Sequence, residues 1–523
     1  MKAGKRTGRI GLYLTAVFIL GYSAALAAPR HATTATLSAN SRALFATAMQ
    51  WGDQYYDPQT SLCAEPKAPG PLPANPHSLE NDGTKFFMVR ESSWYAAGLL
   101  LRDAAGDRER AAQVLSAVLD QQFHAPGKVW DGTFRRSPNE PDPADHPSRW
   151  RGYDPNWRVF IGTTFALILN EYPDRVPAAL RTRMVESIDY ALQGEMHEGR
   201  LEPSYTNIAL MYGYLLSYAA EYGGKPEWKS LAEQWQHTVY KLYKQHEAFN
   251  EYNSPTYAGV DLYALALWRD YGLTEETRTM GRTMEDGLWR TTAAFYNANL
   301  RNIGGPYDRS YGMDMQSYVS VEGLWLRLEL NAQSAPLARF DPPVDHSADV
   351  WIVPLLVVLD ARIPEDALQS FRSFSGEHAV RRLIEGKRVA TAWIGKTLIY
   401  GGEITGQTRL VDAESQFHPV TAQWLTPTGR IGWLNITRTP PIDAEATKQG
   451  IEIATHPGNV TYRIMAPGVR AGDLSAGQWK LAGLDVKLES DAKGFKTEAG
   501  DDYVDVTYVG VTKIRMRFTQ TLQ

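Results

Sequence analysis

Short and long connections alternate between the predicted helices, and this alternation limits the chain to few folds. Apolar residues recur at helical spacing from about Ser41 to Leu330. The predicted hairpins are 92–105 with 107–123, 156–171 with 176–193, 205–222 with 226–247, and 257–270 with 274–298, followed by a helix at 316–330. Turns within hairpins are short, whereas the connections between hairpins are long, at 75–91, 124–155, 194–204, 248–256 and 299–315. If successive helices alternate in direction, every long loop lies on one rim, here called the loop rim.

A ring of helical hairpins with long loops on one rim is an α/α toroid. We therefore expect residues 28–344 to form an incomplete barrel of helical hairpins. A helical solenoid is the alternative fold, but no repeat consensus is visible. Because long irregular loops inside a compact domain usually carry function, the loop rim is the predicted location of a site.

The pattern changes after about Asp345 to alternating apolar and polar residues, which is typical of strands. The predicted strands are Val420–Leu425, Ile431–Arg438, Gly450–Thr455, Val460–Met465, Tyr503–Tyr508 and Lys513–Phe518. We expect residues 345–523 to comprise a bridging segment, including 350–359 and 365–374, and an antiparallel β-sandwich domain.

Residues 1–27 have the three parts of a cleavable secretion signal. Four basic residues precede an apolar stretch from Ile10 to Tyr22, and the small residues of Ala25-Leu26-Ala27 follow. The apolar stretch is short for a membrane span. We therefore expect a secreted or periplasmic protein without a stable membrane anchor.

Composition narrows the choice of partners. The formal net charge is −5, and removal of the basic signal makes it more negative, which argues against nucleic-acid binding. Cys63 is the only cysteine, so an intramolecular disulfide is excluded. The chain has 27 Tyr and 15 Trp, many in segments rich in Gly, Pro and Asn. Such rings suit stacking on sugars, although half-buried packing explains them equally well.

Polar residues that suit a binding site collect in the predicted loop rim. In chain order they are His77, Asn81, Arg90, Tyr153, Asp154, Asn156, Asn207, Asn253, Tyr257, Arg301, Asn302, Tyr307, Arg309 and Tyr311. Asp154, Ser204 and Ser254-Pro255 have the character of helix starts, which places Asn207 and Tyr257 in first helical turns. Helix N-termini offer unpaired N–H groups and positive potential, so this rim suits a carboxylate ligand.

Several enzyme classes lack their signatures in this chain. We find no His-Glu-x-x-His, no phosphate-binding Gly-Lys loop and no Gly-x-Ser-x-Gly elbow. The 11 His residues are scattered without ligand spacing, which argues against a transition-metal site and leaves an oxygen-liganded calcium ion open. We expect no cofactor.

Three segments of the loop rim carry a resemblance. They are Ser-Tyr-Thr-Asn-Ile-Ala-Leu-Met around Asn207, Phe-Asn-Glu-Tyr-Asn-Ser-Pro-Thr-Tyr-Ala-Gly at 249–259, and Gly-Pro-Tyr-Asp-Arg-Ser-Tyr-Gly-Met-Asp at 305–314. Their order of Asn, Tyr before a helix and Arg resembles the α/α-toroid polysaccharide lyases, most closely the glucuronan and alginate lyases with a trailing β domain. The resemblance implies β-elimination of an anionic, uronic-acid polysaccharide.

That reaction assigns roles to the candidate residues. Removal of the C5 proton creates a strongly anionic intermediate unless donors or positive charge neutralise the adjacent carboxylate, a role that suits Asn207 and Arg309. A tyrosine serves as both base and acid when proton and leaving group lie on one face of the sugar, and Tyr257 is the first candidate and Tyr311 the second. The remaining candidates are His77 for catalysis and Arg90, Tyr153, Asn156, Asn253, Arg301 and Tyr307 for substrate binding.

The chain departs from the commoner lyase pattern, in which a His precedes the catalytic Tyr. Residues 249–256 contain no His, and His246 and His77 lie elsewhere, so the identity of the base stays open. A tyrosine-only syn elimination needs no such His. It is compatible with glucuronate and mannuronate linkages, whereas guluronate would require groups on opposite faces.

Two other functions remain open at this point. A toroid glycoside hydrolase would use two carboxylates, for which the loop rim offers Glu91, Asp154, Glu202, Glu251, Asp308 and Asp314. A non-catalytic polysaccharide-binding protein would use the same aromatic rings. The individual residues also have structural interpretations, such as an ion pair between Asp308 and Arg309. The oligomeric state is left open.

Overall fold

The fold is described from a computed structural model that covers residues 32–66, 85–412 and 415–521. The predicted secretion signal lies outside these residues, as do His77 and Asn81. Helices occupy the first part of the described chain and antiparallel strands the second, which confirms the predicted order of an α/α toroid followed by a β domain.

The predicted helical hairpins are present, with ends that differ from the expected ones by a few residues. The helices are α1 Ala39–Tyr55, α2 Val89–Arg102, α3 Asp107–Leu119, α4 Trp157–Glu171, α5 Ala178–Glu198, α6 Thr206–Tyr222, α7 Lys229–His246, α8 Tyr257–Tyr271, α9 Glu275–Phe295, α10 Val321–Glu329, α11 Val353–Leu359 and α12 Glu365–Arg372. Short 3₁₀ helices occur at Pro173–Arg175, Pro226–Trp228, Ser347–Ile352 and Ala471–Asp473. The two parts of the expected bridging segment are thus α11 and α12.

Burial separates the hairpin helices into an inner and an outer layer. Helices α4, α6 and α8 are buried on nearly every face because their sequences are almost entirely apolar. Helix α7 buries one stripe, formed by Ala232, Gln236, Val239 and Tyr243, and exposes charged residues on its other faces. The first helix of each hairpin therefore faces the interior, and the second helix covers it.

Contacts between inner helices form a closed circuit. Helix α2 packs on α4, α4 on α6 and α6 on α8, while α8 contacts α10 and α11. Helix α11 in turn contacts α2, and α1 contacts α2, α10 and α11. The ring is therefore completed by α1 and α11, which lie before and after the predicted hairpins.

The described strands comprise two small sheets within the helical part and one large sheet after it. The small sheets contain β1 Tyr56–Asp57, β2 Leu62–Ala64 and β3 Phe87–Met88, and β4 Tyr296–Asn297 with β5 Asn302–Ile303. The large sheet contains β6 His378–Glu385, β7 Arg388–Ile394, β8 Leu398–Ile404, β9 Val420–Leu425, β10 Ile431–Arg438, β11 Ile442–Thr447, β12 Gly450–Met465, β13 Gln478–Leu481, β14 Leu484–Ser490, β15 Gly494–Ala499 and β16 Val504–Gln520.

The large sheet is antiparallel and folds around one apolar core. Its main order is β13-β14-β16-β12-β10-β9-β8-β7-β6, and β15 adds to β16. Strand β11 pairs with both β12 and β8, which closes a circuit of strands and connects the two sides of the sheet. Side chains from β8 through β16 share the core.

Two pairs of predicted strands are single long strands. The expected strands 450–455 and 460–465 are both part of β12, and 513–518 and all of 503–508 except Tyr503 are part of β16. The pairing of β12 with β16 shifts register on both sides of Gly458, and Gly510 has a φ of +63°. Gly458 and Gly510 therefore mark bulges, where a strand bends without ending.

Among the described residues, no helix is both long enough and apolar enough to cross a membrane.

Helices α8 and α10 meet at Gly259, where their backbones are in direct contact. A Cβ atom at this position would collide with the backbone of Val321 and Glu322 at the start of α10. The indole Nε1 of Trp325 donates to the Gly259 carbonyl oxygen over 2.9 Å, which holds the two helices together. The side-chain hydrogen of glycine is therefore a requirement of this packing.

We expect Gly259→Ala to lower the free energy of unfolding by about 1–3 kcal/mol, because the methyl group forces α8 and α10 apart. Urea denaturation measures this change. Gly472→Ala is the control, since a Cβ atom there enters open space, and it should change the stability by less than about 0.5 kcal/mol. Equal stability of the two variants would contradict close packing at Gly259.

Candidate active site

Residues from several helix starts meet at the loop rim. Tyr257 is the first residue of α8, and its N–H donates to Ser254 Oγ over 3.1 Å. Ser254 therefore caps this helix as the sequence predicted, with Pro255 directly after it. The Ser254 hydroxyl also donates to the carbonyl oxygen of Arg309, which ties the start of α8 to the loop after β5. Tyr257 is thus fixed beside Arg309.

A buried carboxylate lies at the centre of this cluster. Glu251 Oε2 accepts from Asn207 Nδ2 over 2.6 Å and from the Asn207 N–H over 3.4 Å, at the start of α6. Glu251 Oε1 accepts from Arg309 Nη1 over 2.5 Å. The sequence predicted that this helix start attracts a carboxylate, and in the structure the protein's own Glu251 occupies it. Burial raises the pKa of Glu251 above its usual value, and Arg309 opposes that rise.

Arg309 connects the cluster through all three guanidinium nitrogens. Besides the contact with Glu251, Nη2 donates to the Tyr257 hydroxyl oxygen over 2.6 Å and Nε donates to Gln416 Oε1 over 3.0 Å. The guanidinium also stacks over the Tyr257 ring, with its carbon 3.8 Å from the ring centre. Gln416 comes from the connection between β8 and β9, so the β part completes the site.

Tyr257 and Tyr311 form a hydrogen-bonded pair. Their hydroxyl oxygens are 2.6 Å apart. Burial raises the pKa of both hydroxyls, and the Arg309 charge opposes the rise in each case. The Tyr311 side chain is 36% exposed, so the pair is accessible from the loop rim. A hydroxyl that accepts from a guanidinium and shares a proton with a second hydroxyl is suited to proton transfer.

His346 supports the outer tyrosine. Its ring stacks on Tyr311, with ring centres 4.2 Å apart and planes inclined by 24°. His346 Nδ1 lies 3.3 Å from Asp349 Oδ2, and Arg90 Nη2 lies 3.6 Å from Asp349 Oδ1. Burial alone would lower the pKa of His346, but the hydrogen bond and charge of Asp349 raise it above its usual value. The Asp349 carboxylate therefore stabilises the protonated form of the imidazole.

Two predicted substrate-binding residues border the cluster. Arg90 pairs with Glu91 at 2.5 Å and lies 4.8 Å above the Trp94 ring, at the start of α2. Asn156 Nδ2 donates to the Tyr205 hydroxyl over 3.0 Å, next to the start of α6. Burial raises the pKa of the Tyr205 hydroxyl, and the positive charge of Arg309 partly opposes this rise. Arg90, Asn156, Asn207, Tyr257, Arg309 and Tyr311 are thus brought together as predicted.

Other predicted binding residues have structural contacts. Tyr153 donates to Glu198 Oε1 over 2.9 Å, and Asn253 Nδ2 donates to the carbonyl oxygens of Gly304 and Pro306 over 2.8 Å each. The remaining two predicted residues also bond within the protein: Arg301 donates to the Gln333 carbonyl oxygen, and the Tyr307 hydroxyl donates to that of Ile303. These side chains shape the loops, and none of these contacts joins the cluster.

Asp308 belongs to a larger ion network, in place of the ion pair with Arg309 that the sequence allowed. Asp308 is buried and accepts from Arg388 Nη2 over 2.7 Å and from Arg409 Nη1 over 2.5 Å. Arg388 Nε also donates to the fully buried Glu403 over 2.9 Å. Since neighbouring residues in an extended loop point in opposite directions, Asp308 faces the β part and Arg309 faces the site.

Three residues of the cluster were missed as site residues or given another role. The sequence offers Glu251 only as a hydrolase carboxylate and gives no prediction for His346 or Gln416. His346 lies in Asp-His-Ser-Ala-Asp, with the acidic partner three residues later on the same helical turn, which is the one local signal available. Among the described residues, no group of three or more His, Cys, Asp or Glu side chains is arranged to hold a metal ion.

Comparison with known proteins places the chain in a family. A family model described as "Domain of unknown function (DUF8769)" matches residues 42–361. The chain belongs to this family. The match includes the cluster from Arg90 to Asp349, whereas Gln416 lies beyond it. No curated protein matches the sequence.

Among solved structures, similarities to this DUF8769 member are distant. A heparinase III has 9% identity and a TM-score of 0.42, over 93% of this chain and 85% of that chain. A second heparinase III, with methylated lysines, has 8% identity and a TM-score of 0.32, over 91% and 84%. Endoglucanase CelQ from Clostridium thermocellum, complexed with cellotetraose, has 11% identity and a TM-score of 0.26, over 91% and 93%. These values transfer no residue roles to this chain.

The raised pKa of His346 makes a testable contribution to stability. Because the folded pKa lies above the unfolded value of about 6.5, the imidazolium stabilises the fold below that pH, and the contribution is lost as the pH rises through the folded pKa. We expect Asp349→Asn to lower the His346 pKa and to remove this dependence. Titration of the imidazole NMR signals measures it, and the exposed His237, paired with Glu276, should not change. An unchanged His346 pKa would exclude Asp349 as its cause.

Proposed function

We propose that this protein is a polysaccharide lyase that cleaves a uronic-acid polysaccharide by β-elimination. The observation that carries the proposal is the pair of tyrosine hydroxyls 2.6 Å apart, with the Arg309 guanidinium bonded to the inner one. In this reaction a base removes the C5 proton, the electrons of the C5–H bond form the C4=C5 double bond, and the C4–O4 bond breaks. The departing O4 then takes a proton.

Tyr257 is the proposed base and acid. A tyrosinate at this position would accept hydrogen bonds from Arg309 and Tyr311, and the stacked guanidinium adds positive charge at its ring face. Tyr311 is the more exposed member, so it is the route by which the proton leaves Tyr257 before the reaction. The proton taken from C5 then returns to O4 from the same hydroxyl. Base and acid on one side of the sugar favour a syn elimination.

Neutralisation of the substrate carboxylate is the second requirement. Arg309, Arg90 and His346 supply positive charge around the tyrosine pair, and Asn207 supplies an amide donor. Glu251 compensates Arg309 when it is ionised, and its pKa is raised by burial. A protonated Glu251 leaves the charge of Arg309 available to an anionic sugar. We therefore propose that Asn207 and Arg309 act on the substrate together with Glu251, rather than alone.

This arrangement favours elimination over hydrolysis. Glu251 is joined to the tyrosine pair through Arg309, but both of its oxygens are bonded to Asn207 and Arg309. Asp308 is bonded to two arginines on the far side of its loop. A hydrolase needs one carboxyl group free to protonate the glycosidic oxygen. A syn elimination further favours glucuronan or mannuronate-rich alginate as the substrate.

The first experiment is a substrate panel of glucuronan, mannuronate-rich alginate, guluronate-rich alginate, hyaluronan and pectate. We expect ultraviolet absorbance from the conjugated C4=C5 double bond with glucuronan or mannuronate-rich alginate. No metal or cofactor should need to be added. New reducing ends without this absorbance would instead indicate hydrolysis. Binding without either signal would indicate a carbohydrate-binding protein.

The second experiment separates the tyrosines. Tyr257→Phe should lower kcat by about 10²–10⁴-fold, the usual contribution of a proton-transferring group, and Tyr311→Phe should lower it to a smaller extent. Tyr153→Phe is the matched control, because its hydroxyl bonds to Glu198. Full activity in both Tyr257→Phe and Tyr311→Phe would refute the mechanism. Circular dichroism of each variant confirms that the fold is retained.

A further inference from the structure

We infer that Trp150 and its flanking arginines form a distal subsite for an anionic sugar unit of the polymer, on the loop between α3 and α4. This inference rests on the proposed function and extends it to a second point of contact along the polysaccharide. The segment reads Arg149-Trp150-Arg151, and all three residues are exposed. It lies six residues before the start of α4, on the loop rim.

Trp150 is held in a conformation that tryptophan rarely adopts. Its φ is +63°, in the left-handed region, and its side chain is 39% exposed. A positive φ in a bulky residue costs free energy and persists only where surrounding contacts enforce it. Exposure of the indole gives up the burial that would normally stabilise such a ring. Because the backbone of Trp150 is strained and its indole is exposed, we infer that the indole ring binds a ligand.

A buried clamp enforces this conformation. Arg136 Nη1 donates to the Trp150 carbonyl oxygen over 2.7 Å, and Nη2 donates to that of Arg151 over 2.8 Å. The guanidinium is itself fixed by Glu140, which accepts from Nε over 2.7 Å, and both charged residues are buried. The Trp150 N–H donates to the Tyr153 carbonyl oxygen over 2.6 Å. The loop is therefore rigid at the point where it presents the indole.

The clamp lies on the same rim as the tyrosine pair. Burial raises the pKa of Asp154, and the positive charges of Arg90 and Arg136 oppose this rise. Asp154 is therefore within electrostatic range of both the cluster, which contains Arg90, and the clamp, which contains Arg136. Two residues further on, Asn156 bonds to Tyr205 beside the start of α6. The Trp150 platform and the proposed catalytic residues are thus linked through the short segment 154–156. A bound polymer that reaches both would extend across this segment.

The flanking charges define the chemistry of the ligand. An indole face alone would stack on a neutral or an acidic sugar, since both present C–H groups to the ring. Arginines on either side add donors for a carboxylate, and Arg149, whose side chain is 46% exposed, keeps contact with solvent while pairing with the buried Glu198. This combination selects a uronate over a neutral sugar.

The test measures binding in the full-length Tyr257→Phe background, so that oligosaccharides are not consumed. Isothermal titration uses oligoglucuronates and oligomannuronates, each as a dimer and as a longer oligomer, and neutral cello-oligosaccharides of the same lengths. We expect Trp150→Ala to weaken binding of the longer uronate oligomer about tenfold and to leave the dimer unchanged. Arg151→Gln should weaken the longer uronate oligomer several-fold. Tyr222→Ala is the control, since this exposed tyrosine ends α6 on the opposite rim.

A second variant distinguishes a ligand platform from a structural tryptophan. Glycine adopts a positive φ without steric cost, so Trp150→Gly should not lower the melting temperature, while it should weaken the longer oligomer as Trp150→Ala does. A clear decrease in the melting temperature of Trp150→Gly would overturn the inference. Unchanged binding in Trp150→Ala, equal binding of neutral and acidic oligomers, or no binding of any oligomer would also overturn it.

Failure of the subsite and failure of the proposed function have different signatures. If the subsite is wrong but the proposed function is right, Trp150→Ala in the otherwise unaltered protein cleaves the polymer by β-elimination with unchanged KM and kcat. Tyr257→Phe still loses this activity. If the proposed function is wrong, no uronate produces the ultraviolet signal, whatever Trp150 binds.

Discussion

The buried carboxylate of Glu251 is the interaction on which the candidate site depends. It bonds to Asn207 at the start of α6 and to Arg309 in the loop after β5, and it belongs to the loop before α8. Three separate segments therefore converge on one acidic group. Removal of one partner from a buried ion pair leaves an uncompensated charge and costs about 3–5 kcal/mol. The positions of Tyr257 and Arg309 follow from this contact, because each is anchored within a few residues of it.

The same contact explains how the site combines strong positive charge with deep burial. Arg309, Arg90 and His346 each have an acidic partner, namely Glu251, Glu91 and Asp349. Burial raises the pKa of Glu251 and Glu91, which makes both carboxylates easier to protonate than exposed glutamates, whereas the arginines stay charged. Protonation of either carboxylate would shift the potential at the tyrosine pair toward positive values. These charges at the site could not be inferred from the negative net charge of the whole protein, which is all that the composition gives.

Much of this structure could be predicted from sequence because its signals are local. The hairpin helices follow from apolar periodicity, and Tyr257 follows from the cap at Ser254. His346 and Gln416 could not be found this way, because they reach the site from distant parts of the chain. Polar residues in long loops cannot be sorted into binding and structural ones from sequence, since such loops also need side chains to satisfy their own backbone, as Asn253 does. The full length of β12 and β16 could not be predicted, because a glycine at a bulge and a glycine at a turn look alike in sequence.

The ion network around Asp308 has a consequence for how this protein evolves. Asp308 lies within the region that defines the family, whereas Arg388, Glu403 and Arg409 lie beyond residue 361. Replacement of the β part alone by recombination would leave Asp308 as a buried charge without a partner. It would also remove Gln416, which accepts a hydrogen bond from Arg309. The helical ring is therefore not an interchangeable module. The site therefore requires both the ring and the sheet. Residues that bond across the boundary between them must change together if these contacts are to be kept.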